Sequence, residues 1–343
     1  MKKVLTLFMT LSFVVGAGVR NFFDDVGFCT RPHQIEKIVE LSRKLEPEAS
    51  RIRGDWLAVV SPHDDHMYAG RVYIYAIPRV ARAKTVVIFA VTHHRARVEL
   101  KDPRGIIILD DYDRWEAPYG PVEVDGELRN YIKRKLPSKY YMVSNRAHAL
   151  EHSAEAMVPF LQYYNRKVKI LAIMVTGMDF WRMKGVSDKL AEVIYSYMKE
   201  RGLKPGKDIS FVISSDNTHY GPDFDFSPFG LDEESHRRAT DQDRELGRKF
   251  LSGRITVEKI RGFADRVWGE GITWCGRFSV PFGLLTLRRL AELWGRNLEG
   301  VAFKYGDSYS LGVLPAFRMG IGTTAPFSLK HWVGYWAIGY RLK

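Results

Sequence analysis

Cysteine is scarce: only Cys29 and Cys275 occur in 343 residues. Two cysteines so far apart exclude a disulfide framework, and the lack of any CxxC pair excludes a zinc ribbon. The chain also has no Walker loop, no GxGxxG after an apolar run, no GxSxG elbow and no HExxH helix. The usual signatures of nucleotide binding, α/β-hydrolase chemistry and zincin chemistry are therefore missing. Beyond the N-terminus, no apolar stretch approaches the roughly 20 residues that a membrane span requires. No transmembrane span is expected in the mature chain. Internal repeats and low-complexity linkers are absent, which argues against a solenoid or a string of tethered modules.

Hydrophobic residues make up 45% of the chain and charged residues 27%, the balance of a folded soluble protein. The formal net charge is +12. That surplus attracts anions without fixing the fold. The basic residues are scattered, the densest clusters being Lys133–Lys135 and Arg288–Arg289. No stripe or module signature accompanies them, so specific nucleic-acid binding is not expected.

Lys2 and Lys3 precede an apolar run from Val4 to Val15, and small residues follow at Gly16, Ala17 and Gly18. A charged start, a short apolar core and a small-residue exit describe a secretory signal. Residues 1–17 are read as a signal peptide cut near Ala17. The mature chain is then exported to a periplasmic or extracellular space, and residues 18–343 form one domain. The alternative is a buried first strand in a cytoplasmic protein.

A pattern recurs along the rest of the chain: an apolar run, a polar cluster, then a helical period. Trp56 to Val60 leads into Ser61-Pro62-His63-Asp64-Asp65-His66. Thr85 to Val91 leads into Thr92-His93-His94, and Val168 to Val175 into Thr176-Gly177. Ile209 to Ile213 leads into Ser214-Ser215-Asp216-Asn217-Thr218-His219. Continuous β-branched runs of this kind are strands buried on both faces. Helical periods fall at Pro32 to Leu41, Ser153 to Tyr164, Val186 to Lys199, Glu233 to Leu251 and Phe282 to Trp294. Such alternation predicts an α/β fold with a mostly parallel central sheet flanked by helices. Ligands of such sheets bind outside the carboxyl ends of the strands, where the polar clusters lie.

Those ends carry the candidate chemistry. Histidine is the commonest protein metal ligand, and His63 and His93 follow different strands. Asp64, Asp65, His66, His94, Glu151 and His152 are candidates for an extended site, although each also suits a loop or a helix start. Asp216 and His219 form a possible oriented acid–base pair or a metal site's outer support. Cys275, in Thr273-Trp274-Cys275-Gly276-Arg277, precedes a helical stretch and has Arg277 nearby. That setting predicts a lowered thiol pKa and a role as thiolate ligand or nucleophile. Cys29 has no such setting and reads as structural.

Taken in order, these segments resemble the Memo family, whose fold is shared with class III extradiol ring-cleaving dioxygenases. The matching segments are Ser61-Pro62-His63 with Tyr68-Ala69-Gly70, Thr92-His93-His94, Glu151-His152-Ser153 with Pro159-Phe160, Ser214-Ser215-Asp216 with His219-Tyr220-Gly221, and Cys275-Gly276-Arg277. The resemblance runs from about Val26 to the C-terminus. It implies a metal triad of His63, His93 and Cys275, with Asp216 and His219 beside the metal and His219 as acid–base catalyst. The chain departs from the family at Asp64-Asp65-His66, where Ala-Gly-Tyr is usual, and at Met157, where some relatives carry histidine. A secretory start is also unusual for a family mostly found inside cells.

The expected function is metal-dependent redox chemistry, of a dioxygenase-like kind, on a small molecule. One metal ion is implied. A thiolate ligand favours copper or zinc, and iron(II) is also compatible. Two other functions use the same cleft: a zinc hydrolase with Asp216 or His219 as base, and a non-enzymatic module that binds a peptide or partner. The sequence sets no oligomeric state.

Overall fold

The computed structural model describes residues 18–316 and 318–343. The signal peptide expected over residues 1–17 lies outside the described residues. In chain order the large sheet contains β1 (Ala58–Ser61), β2 (Thr85–Val91), β3 (Ile107–Leu109), β4 (Tyr141–Val143) and β5 (Lys169–Val175). It continues with β6 (Ile209–Ser214), β7 (Asp216–Tyr220), β8 (Gly253–Arg254), β9 (Leu298–Asp307) and β10 (Trp332–Leu342). The spatial order is β8-β9-β10-β1-β6-β2-β5-β3-β4, with β7 pairing off the path onto β10.

The four apolar runs legible in the sequence are the adjacent strands β1, β6, β2 and β5, and every pairing among them is parallel. Almost every residue in them is buried, as a strand covered on both faces must be. Because they run parallel, their carboxyl ends share one edge of the sheet. The sheet as a whole is mixed: the expected parallel order holds at its centre and again between β3 and β4 at one edge. β10 runs antiparallel to β1 and to β9, and β3 runs antiparallel to β5. An antiparallel pair needs no crossover helix, so the last two long strands extend the sheet directly.

The flanking helices used below are α1 (Pro32–Leu45), α2 (His66–Ala76), α3 (His94–Glu99) and α4 (Gly126–Lys135). They are followed by α5 (Phe180–Glu200), α6 (Glu233–Phe250), α7 (Val257–Gly269) and α8 (Ser279–Leu293). Pro32 opens α1, where a missing N–H costs nothing, and Gln34 Oε1 accepts from the Arg31 N–H at 2.9 Å. The buried stripe of α1 contains Ile35, Ile38 and Val39. α8 packs on α5 and on β2 and β6, so the central strands are covered along their length. One hydrophobic core runs from Phe28 to Tyr340. A separate three-stranded sheet of Val19–Arg20, Arg114–Trp115 and Val122–Glu123 ties down the start of the described chain. Among the described residues no helix is long and apolar enough to cross a membrane.

Candidate metal centre

The parallel register delivers His63 from the end of β1, His93 from the end of β2 and Asp216 just beyond β6. His63 is buried, 1% exposed. Its Nδ1 lies 2.7 Å from the Ser214 hydroxyl, which itself donates to the Ser153 carbonyl at 2.7 Å. The hydroxyl has one proton, already committed, so Nδ1 is the donor and Nε2 carries the lone pair. That Nε2 is buried without a hydrogen-bond partner among the described residues. Burial, reinforced by His93 and His152, keeps the ring neutral by pushing its pKa well down.

His93 is held by Glu151. The ring Nδ1 donates to Glu151 Oε1 at 2.7 Å, and the His93 backbone N–H donates to Oε2 at 2.7 Å. Burial works against charge on Glu151, yet the His93 imidazole and N–H hold its carboxyl well below the usual range. His93 Nε2 points at Cys275 Sγ, 2.8 Å away. Burial likewise opposes protonation of His93, but the Cys275 sulfur and the Glu151 carboxylate push its pKa up. The expected lowering of the Cys275 pKa is not found. Burial pushes the thiol up, His93 only partly offsets this, and the Arg277 side chain is exposed. The thiol reaches His93 because Gly276 has no side chain: a Cβ there would stand 2.1 Å from Ser215 Oγ.

One ligand-type atom from each of His63, His93 and Cys275 lies within 4.8 Å of the others. Two imidazoles and a thiol suit a transition metal or zinc. His93, Glu151 and His152 make a second such group, but both Glu151 oxygens are already engaged by His93. His152 stacks on His93, with centroids 4.4 Å apart and planes at 13°. Burial lowers its pKa to about 3.

Asp216 and His219 do not pair with each other. Asp216 Oδ1 accepts from the His63 backbone N–H at 2.8 Å, and Oδ2 stands 3.4 Å from His63 Nε2. The His219 ring instead donates Nδ1–H to the Asn217 carbonyl at 3.1 Å. The reason is local: both residues sit in β7, where a register irregularity between them separates their side chains. Burial lowers the His219 pKa to about 4. Its free Nε2 is therefore a neutral acceptor at pH 7.

The extended candidates separate. His66 is a core residue: Nδ1 accepts from the Cys29 N–H at 3.0 Å, and Nε2 donates to the Ala156 carbonyl at 2.9 Å. With both nitrogens committed it is no ligand, and Cys29 beside it is buried. Asp64 accepts from the Tyr335 hydroxyl. Asp65 accepts from the Thr324 N–H at 2.6 Å, and burial, reinforced by Asp64, raises its pKa to about 7. His94 is exposed at the start of α3. A cavity of about 840 Å³ opens over His63, His93, His152, Asp216 and His219, with Phe23 on its wall.

Three supports escaped the sequence reading. Ser214 fixes the His63 tautomer, and only its place in a polar strand end hinted at this. Asp243 lies on the buried face of α6 and accepts from Thr218 and from the Trp274 indole, each at 2.6 Å. It thereby pins the residues next to His219 and Cys275. A carboxylate in step with Ala239 and Leu246 on an amphipathic helix was the available signal. Arg20 is buried and donates to the His148 and Glu151 carbonyls at 2.8 and 2.7 Å, and it pairs with Glu155. Nothing in the sequence marked it.

The Memo-like protein family matches residues 28–309. A MEMO1 family protein of Methanosarcina barkeri is 31% identical over 275 residues, which is 79% of this chain and 88% of that protein. One from Methanococcoides burtonii is 32% identical over 256 residues, 74% of this chain and 80% of its own length. One from Aquifex aeolicus is 35% identical over 190 residues. That match takes in 55% of this chain and 62% of the Aquifex protein, less than two thirds of its length.

Proposed function

The chain belongs to the Memo family, and from that premise we propose that it is a metal-dependent redox enzyme acting on a small molecule. His63, His93 and Cys275 hold one metal ion. The observation that carries this reading is His63 Nε2, a buried lone pair with no hydrogen-bond partner among the described residues, grouped with His93 Nε2 and Cys275 Sγ. Native interiors rarely leave such an atom orphaned. An ion bound there would supply a Lewis acid and, if iron or copper, a one-electron couple.

The protein's own contribution is orientation and proton handling. Ser214 and Glu151 each hold a ring N–H, so both histidines present Nε2. His219 Nε2 accepts a proton from a substrate in the cavity. The Asp216 carboxyl, pushed well up by burial and Asp64, faces His63 and holds a proton beside the triad. A second reading, zinc-dependent hydrolysis, is favoured by the same donors, since two imidazoles and a thiolate with an open position are a catalytic zinc set. Elemental analysis of protein purified without added metal or affinity nickel tests both. Iron or copper near one equivalent supports the redox reading, and zinc alone supports hydrolysis. Protein without metal that also fails to take any of the three overturns both.

A further inference from the structure

His93 and His219 stand between two cavities and line both. The two differ in the ionisable side chains that line them. Asp24, Asp25, Asp64, Asp65 and Asp216 line the larger one, with Arg95 as its one arginine. The smaller, about 440 Å³, opens on the Cys275 side and is lined by Arg97, Arg104 and Arg277, with Asp102 its one carboxylate. A space of that size holds a small molecule.

Within the smaller cavity, Arg104 is already neutralised by Asp102 at 2.9 Å. Arg97 and Arg277 form no ion pair among the described residues, and Arg97 Nε is buried with no acceptor. Both stand close to the triad along the chain. Arg97 lies one helical turn beyond His93, its N–H bonded to the His93 carbonyl at 3.0 Å, and Arg277 is two residues past Cys275. Guanidinium groups match the planar oxygens of carboxylates and phosphates.

We propose that the substrate is a small oxyanion-bearing molecule whose carboxylate or phosphate group sits between Arg97 and Arg277. The rest of the molecule then extends past Cys275 toward His219. The larger cavity offers an anion only Arg95, so the arginines of the smaller one set the orientation. The inference deepens the proposed function and rests on it for the reaction, although anion binding itself requires no metal.

The test is calorimetric titration of the full chain with inorganic phosphate and, separately, with malonate. Both probes, or either, should bind the wild type, and the tighter one identifies the substrate's charged group. Arg97→Gln and Arg277→Gln should each weaken binding at least tenfold, and Arg277→Lys less. Arg341→Gln, whose partner is Glu299, should leave binding unchanged. Metal content and thermal melting are measured on every variant. Lost anion binding with metal content and melting unchanged supports the inference. No binding to the wild type, or equal affinity in the Arg97→Gln/Arg277→Gln double variant, overturns it. Loss of metal along with the anion also overturns it, because the arginines then serve the metal centre. Failure of the metal reading shows separately, as wild-type protein that binds the anion and takes no metal.

Discussion

His63 donates its Nδ1–H to Ser214, 2.7 Å away, and so turns its Nε2 lone pair into the triad. The Ser214 hydroxyl can only accept that proton, because its own is given to Ser153. Removing the hydroxyl frees the ring to change tautomer and to turn. Ser214→Ala should therefore weaken metal binding by about 10–100-fold with the fold intact. Ser214→Thr should restore much of it. Chelator competition measures the affinities, and equal values for wild type and Ser214→Ala would refute the tautomer argument.

The two cysteines should behave differently. Cys275→Ser should abolish stoichiometric metal binding, since a hydroxyl is a poor replacement for a thiolate. Cys29→Ser should keep full metal content but lose about 1–3 kcal/mol of stability, as a buried hydroxyl would. Elemental analysis and urea unfolding of both variants check this. Equal metal in Cys275→Ser and wild type would remove the sulfur from the site.

His219 and Asp216 should separate by readout. His219→Gln should retain metal and lose about 10²–10⁴ in turnover on the substrate identified, as a lost proton acceptor does. Asp216 touches His63 rather than His219. Asp216→Asn should therefore change metal affinity first. Metal stoichiometry and turnover for both decide the matter, and a His219→Gln protein without metal would make His219 a ligand.

His66 should make the fold acid-sensitive. Burial depresses its folded pKa from 6.5 to about 3. Below pH 6.5 the unfolded chain takes up a proton that the folded chain refuses. The stabilising contribution is thus whole above pH 6.5 and is lost as pH falls toward 3, at about 1.4 kcal/mol per pH unit. Asp65, pushed up to about 7, acts in the opposite sense, so the comparison must be between proteins. His66→Gln should show a shallower loss of unfolding free energy between pH 6 and 4 than wild type. Parallel curves from urea titrations would contradict the argument.

Asp243 should matter more than its neighbours on α6. Asp243→Ala would strand the Thr218 hydroxyl and the Trp274 indole, each leaving about 1–3 kcal/mol uncompensated. Asp241 is exposed and paired only with surface arginines. Asp241→Ala should stay within about 0.5 kcal/mol of wild type. Urea unfolding compares them, and similar losses for both would show that Asp243 does not hold the centre together.

The sequence by itself determined the four central strands, because a strand covered on both faces must be apolar throughout and ends abruptly in polar residues. It also singled out His63, His93 and Cys275, since their order and immediate neighbours carry the family pattern, and the fold brings their ligand-type atoms together. The antiparallel arm of β9 and β10 was decided by pairing between distant segments, which no local periodicity reports. The fates of His66 and His94 were likewise decided in three dimensions. Both sit beside a triad histidine in sequence, but the start of α2 turns one ring into the core and the start of α3 leaves the other in solvent. The same holds for the charge on Cys275: Arg277 is close along the chain, yet burial and His93 set the thiol's protonation. Desolvation and hydrogen-bond geometry depend on which groups the fold brings together, and spacing along a chain does not encode them.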